Sequence, residues 1–305
     1  MDVQERVLLC RPHGGLNDTL DVIEHCWRYA EHTNRQLIID TSRSSFCANF
    51  AKYFRSRFED NQTLFELSDA VIEQLNVKSC SVPEIEGRIG EYATRIQLHE
   101  TISHLEWRLP VEHVSSKSLG ISFDADYSAD LVVHENYRTG ALASSLLRRL
   151  VFQRNISDEI STRLRELRKH KYLGIHIRNS DIKSDYHEFF ARMKENFDNQ
   201  TVLICSDDYH VIEYAKHHLG KSVVLTSSEI PDLGGQPYQI PFVDGEEARR
   251  KLSLDALVDL IALGESQELF STLIVNREVI HSGFSQLAAE LCADKSISRE
   301  LFNAR

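Results

Sequence analysis

Short, unbroken apolar runs, each closed by polar residues and followed by helical periodicity, constrain the fold of this chain more than any other feature. Val7-Leu8-Leu9-Cys10 is the first of them. Apolar at every position, such a run cannot alternate between core and solvent. It reads as a strand buried on both faces, as in a parallel sheet covered by helices. The run stops at Arg11-Pro12-His13-Gly14-Gly15, after which Leu16, Leu20, Ile23, Trp27 and Ala30 recur at helical spacing. Leu37-Ile38-Ile39 is the next run, which gives the opening βαβ character. The second half repeats the alternation, with apolar runs at 172–177, 202–205, 223–226 and 273–275 and helical patterns at 186–197, 208–219, 246–263 and 285–292. Strand alternating with helix in this way predicts a doubly wound sheet.

A chain of 305 residues is long for a single core. The architecture expected is α/β, two Rossmann-like domains facing across a cleft, residues 1–150 and 151–305. The stretch between the two clear halves is less regular. Residues 46–58 read as helix, and Ile121-Ser122-Phe123 and Leu131-Val132-Val133 read as strands. Residues 138–171 read as one or two helices, the second capped by Ser157 or Asp158.

Charge and composition exclude several classes of function. A formal net charge of −11 argues against a broad nucleic-acid surface, yet leaves room for one anionic ligand in a locally positive pocket. The cysteines (Cys10, Cys26, Cys47, Cys80, Cys205, Cys292) form no CxxC pair, and the 14 histidines form no HExxH, so no metal site is expected. Cys10 and Cys205 lie inside apolar runs and read as buried core thiols, which suits a reducing compartment. The N-terminus lacks the basic start and long apolar stretch of a signal peptide, and no run approaches the roughly 20 apolar residues that cross a bilayer. The expected location is the cytoplasm, with at most peripheral association at the inner face of the membrane.

Ligands of doubly wound sheets bind outside the carboxyl ends of the strands, so the polar residues closing each run are where chemistry is expected. Gly14 and Gly15 permit close approach of backbone to a ligand, and a helix starting near Asn17 presents open N–H groups to an anion. A tight strand-to-helix turn explains the same residues; the loop is neither GxGxxG nor a Walker loop. In His176-Ile177-Arg178-Asn179-Ser180-Asp181, His176 and Arg178 share one strand face. Arg178 offers a planar fork of donors suited to a pyrophosphate. Asp181 either holds that guanidinium or caps the next segment, and His176 reads equally as a core histidine. Among Ser206, Asp207 and Asp208, a carboxylate can accept from a nucleobase edge or a ribose, while Ser206 or Asp207 can instead cap the helix near Tyr209. Ser282, Gly283, Phe284 and Ser285 open the last helix, as a phosphate cradle or as its cap.

Taken in order, Gly-Gly-Leu-Asn at 14–17, His-x-Arg-x-x-Asp at 176–181, Ser-Asp-Asp at 206–208 and Ser-x-Phe-Ser-x-Leu-Ala at 282–288 resemble the blocks of one enzyme group. That group is the α1,2-, α1,6- and protein O-fucosyltransferase superfamily, which includes the bacterial nodulation-factor enzymes. The resemblance implies a GT-B fold and an inverting, metal-independent transfer with a GDP-sugar as donor substrate and no cofactor. It implies that Arg178 binds the diphosphate with Ser285 and the backbone of Gly283 and Phe284, that Asp207 or Asp208 reads the guanine edge, and that His176 lines the nucleotide pocket. It also implies that Gly14, Gly15 and Asn17 approach the diphosphate from the facing domain. Several members of the group carry a second arginine directly after the first, where this chain has Asn179. His13, Asp18 and Asp185 are the candidates for the catalytic base. Asp124-Ala125-Asp126, spelled like a metal motif, reads as a surface loop. Competing readings are a transferase using a UDP- or ADP-linked sugar, and a non-catalytic nucleotide-sugar-binding module in polysaccharide assembly. The expected acceptor is a glycan or a lipid-linked intermediate of polysaccharide biosynthesis.

Overall fold

The computed structural model describes residues 3–42, 44, 49–58, 63–95, 119–136, 140–179, 183–232, 246–272 and 282–303. The chain divides into two compact units, Met1–Val151 and Phe152–Ala304.

In the first unit β1 (Val7–Pro12) leads into α1 (Leu16–Thr33) and β2 (Gln36–Ile39). Then come β3 (Phe54–Ser56), β4 (Thr63–Leu64), α2 (Asp69–Leu75), α3 (Ile89–Arg95), β5 (Leu131–Asn136), α4 (Ala143–Arg149) and β6 (Leu150–Phe152). A parallel sheet has the order β4-β2-β1-β5, and β3 pairs with β6. Val7 to Cys10 are fully buried, as a central strand covered on both faces requires. Val7, Leu9, Ile38, Leu131 and Val133 share one cluster with Val71 and Leu75 of α2 and Ile89 and Tyr92 of α3, while α1 packs along β1.

The second unit runs through α5 (Arg154–Leu164), β7 (Leu173–Ile177), α6 (Tyr186–Phe197), β8 (Thr201–Ser206) and α7 (Tyr209–His218). It continues with β9 (Val223–Leu225), α8 (Glu246–Glu265), β10 (Leu269–Ser271), α9 (Gly283–Ala293) and α10 (Lys295–Phe302). Its sheet is parallel in the order β10-β7-β8-β9. Ile175, Ile177, Val202 and Ile204 pack against Phe189, Phe190 and Phe197 of α6 and Val211 and Ala215 of α7. Among the described residues no helix is long and apolar enough to cross a membrane.

The alternation of strand and helix read from the sequence is present in both units; several elements differ. Phe50, Tyr53 and Phe54 have helical spacing, but a single 3-10 turn at Phe50–Lys52 followed by β3 buries all three. No strand forms at 121–123; the Ile121 amide instead donates to His134 Nδ1 at 3.1 Å, and the Phe123 ring meets Tyr29 edge-on and His134 at a tilt. Ser157 and Asp158 lie inside α5, which starts after Gln153, and β6 interrupts the helical stretch before it. The run at 273–275 lies outside the described residues; the strand observed in this part of the chain is β10, Leu269–Ser271, which precedes it. β1 extends to Pro12, which places Arg11 inside the strand rather than in the loop. Asp126 does lie in a loop, paired with Arg6 at 2.7 Å.

Candidate functional site

In the second unit, β7 and β8 run in register with Ile177 opposite Ser206, so the residues leaving the two strands meet. The Asn179 amide donates to Asp207 Oδ1 at 2.7 Å, and its side-chain amide donates to Asp208 Oδ2 at 2.8 Å. Asp208 Oδ1 accepts from the His210 amide at 2.9 Å and caps α7, so both of its oxygens are held by the protein. Arg178 lies 3.5 Å from Asp207 Oδ2, with the two side chains 26% and 19% exposed. The guanidinium is thus oriented by a carboxylate and still reachable by a ligand. Asp185 caps α6 by accepting from the Glu188 amide at 2.9 Å. Asp181 lies outside the described residues.

His176 reaches across to the start of α9. Its Nδ1 is 2.7 Å from Ser285 Oγ, which is 2.9 Å from Ser282 Oγ. Ser282 caps α9 by accepting from the Ser285 amide at 3.1 Å. The His176 ring lies 4.9 Å from that of Phe284. Burial, with a smaller push from Arg178, drives the His176 pKa down to about 3, so the ring is neutral. Of the cap and the cradle expected from the sequence, the structure shows the cap: Ser282 closes the helix, and as at any helix start the first-turn N–H groups at Gly283 and Phe284 have no intrahelical partner.

A second cluster follows β9, and no local motif announces it. Ser227 and Ser228 both donate to Asp259 Oδ1 of α8, at 2.5 and 2.6 Å. Arg163 of α5 binds Asp255 at 2.6 Å beside them. Burial pushes the Asp259 pKa up to about 6, against the opposing effect of the serine hydroxyls.

In the first unit, Gly14 has a φ of 92°, and a Cβ there would stand 2.7 Å from Asp18 Oδ2. Asp18 turns back to accept from the Gly15 amide at 3.3 Å, closing the start of α1. Asn17 is buried, with its Nδ2 unpartnered among the described residues. His13 Nε2 lies 2.7 Å from Glu135 Oε1. Glu135 also accepts from the Tyr92 hydroxyl and stands 3.5 Å from Arg11 Nη1, and Arg11 Nε donates to Asp40 at 2.7 Å. The Arg11 guanidinium lies 4.6 Å from the Tyr92 ring centre. Burial disfavours its charge, but Tyr92, Asp40 and Glu135 outweigh burial and hold its pKa above the ordinary value. Burial and then Glu135 raise the Tyr92 pKa, so the phenol stays a donor. Arg11, Asp40, Tyr92 and Glu135 were not legible as a site. The one signal was Arg11 itself, a cation abutting a buried strand, which must be paired.

These two parallel-sheet units define an α/β protein of the GT-B-like class. No family model matches the chain, and no curated protein matches it in sequence. Solved structures share its fold. Fucosyltransferase NodZ from Bradyrhizobium gives a TM-score of 0.58 at 17% identity, covering 94% of this chain and 92% of that one. NodZ alpha-1,6-fucosyltransferase co-crystallised with GDP gives 0.58 at 19% identity, with coverage of 94% and 92%. The same enzyme soaked with GDP-fucose gives 0.57 at 16% identity, with coverage of 93% and 92%. At these identities the likeness is one of fold.

Proposed function

We propose that the protein is a glycosyltransferase that moves a sugar, fucose by this reading, from a GDP-sugar to a hydroxyl of a glycan or lipid-linked acceptor. Transfer inverts the anomeric centre and uses no metal. The observation that carries this reading is Arg178 at the carboxyl end of β7, oriented by Asp207 and still exposed. The Ser282-capped start of α9 is tied to the same strand through His176. A guanidinium fork and open helix-start amides are the donors a departing diphosphate needs, and they supply its counter-charge without a cation. A neutral His176 fits a role in holding Ser285 rather than in proton transfer. Asp208 caps α7, so this reading gives the base or ribose to Asp207, which lies beside Arg178 with its side chain 19% exposed. The likeness of fold to NodZ, solved with GDP and with GDP-fucose, supports the choice of donor.

Turnover of GDP-fucose, followed as release of GDP by the full chain without added metal, tests the reading. Arg178→Ala is expected to lower the rate by about 10²–10³ with the fold intact by circular dichroism, the usual cost of losing one preorganised donor. A folded Arg178→Ala protein with wild-type turnover would remove Arg178 from the mechanism.

A further inference from the structure

Resting on the transferase reading, we infer that Lys183 is a second cation for the donor diphosphate, held beside Arg178 by a bond to the main chain of Asn179. Lys183 is exposed, and its Nζ donates to the Asn179 carbonyl at 2.7 Å. It meets no carboxylate among the described residues. A carbonyl takes one of the three N–H donors of an ammonium and leaves its charge unneutralised. Lys169, Lys216, Lys221 and Lys251 of the same unit differ in this respect, each lying within 3.5 Å of a carboxylate.

Asn179 is the fixed point of this arrangement. It is 6% exposed, and its amide and side-chain Nδ2 donate to Asp207 and Asp208. Its Oδ1 accepts from the Ser184 amide at 3.1 Å, so residues 183 and 184 fold back onto the residue that follows Arg178. The bond from Ser184 already closes this turn, and the closure does not require a lysine. Every polar group of Asn179 is engaged within the protein. Position 179 therefore positions, and position 183 carries the charge.

The segments that leave β7 and β8, residues 178–185 and 206–208, hold two full cations, Arg178 and Lys183, against Asp181, Asp185, Asp207 and Asp208. Asp185 and Asp208 cap α6 and α7, where the helix starts offset their charge. Arg178 already stands 3.5 Å from Asp207. A nucleoside diphosphate brings more than one negative charge to this edge, and one guanidinium shared with a carboxylate does not balance it. Lys183 is the cation these segments have left. Its flexible stem can carry a compact point charge from the Asn179 carbonyl to a phosphate oxygen, while Arg178 supplies the planar fork.

The test is calorimetric titration of GDP into the full chain and its Lys183→Gln and Lys183→Arg variants, at salt from about 0.05 to 0.5 M. Glutamine keeps an N–H for the Asn179 carbonyl and drops the charge, and at an exposed position it is expected to leave the circular dichroism spectrum unchanged. Lys183→Gln should weaken GDP binding about tenfold or more at the lowest salt, the usual worth of a hydrogen bond to a charged group. That gap should narrow as salt screens the ammonium, which a purely structural role would not produce. Lys183→Arg should restore affinity to near the wild-type value. Wild-type affinity in Lys183→Gln, or a loss that salt does not narrow and arginine does not restore, would overturn the inference alone. If the wild-type protein itself binds no GDP at any salt, the transferase reading fails, and the inference falls with it.

Discussion

His176 shows how a single side chain ties stability to the site. It is buried on β7, and its pKa falls from 6.5 to about 3. Below pH 6.5 the unfolded chain takes up a proton that the folded ring refuses, so the group stabilises the fold above that pH and loses its contribution as pH falls toward 3. Between pH 6.5 and about 5 the loss amounts to about 1–2 kcal/mol from this group. Urea unfolding of wild type and His176→Gln at the two pH values checks it: the wild type should lose about that much more. Equal losses would mean that His176 is protonated in the folded state. At this scale the sequence was informative where one strand end held its own chemistry, as at His176 and Arg178. It was silent where partners came from distant elements. Glu135 meets His13 across 122 residues, and Asp259 meets Ser227 across 32. The cap of the helix near Tyr209 was read as Ser206 or Asp207; the structure gives it to Asp208, whose Oδ1 accepts from the His210 amide, a choice between adjacent residues that only geometry makes.

Among elements, the turn from β1 into α1 is the most tightly specified. Gly14 takes a left-handed φ of 92°, and any side chain there would meet the Asp18 carboxylate at 2.7 Å. Both the strain and the clash work against an L-residue, so Gly14→Ala is expected to lower stability by about 1–2 kcal/mol or more. A melting temperature unchanged from wild type would show that the turn relaxes freely. The strands were legible because each is short, apolar on both faces and followed by a turn. Pairs such as Val7 with Leu131 could not be read, since parallel partners lie far apart in sequence. Of the helix expected at 46–58, residues 49–58 are described, and there it is replaced for a definite reason: residues at i, i+3 and i+4 are buried equally well by one 3-10 turn and a strand.

At the scale of the molecule, the chain carries a net charge of −11, so an anionic donor must be drawn in by local groups rather than by the overall field. In the function proposed those groups are Arg178 and the capped start of α9, both in the second unit. Two α/β units, each with its own parallel sheet, give the fold shared with NodZ, and the alternation of runs and helical patterns was enough to anticipate it. The central claim is that Arg178 and its neighbours bind the diphosphate of a guanine nucleotide. Calorimetric titration of GDP, UDP, ADP and CDP into the metal-free protein, repeated with Arg178→Ala, tests it most directly. The account predicts that GDP binds selectively and that its binding is lost in the variant. Preference for another nucleotide, or GDP binding unchanged in Arg178→Ala, would contradict it.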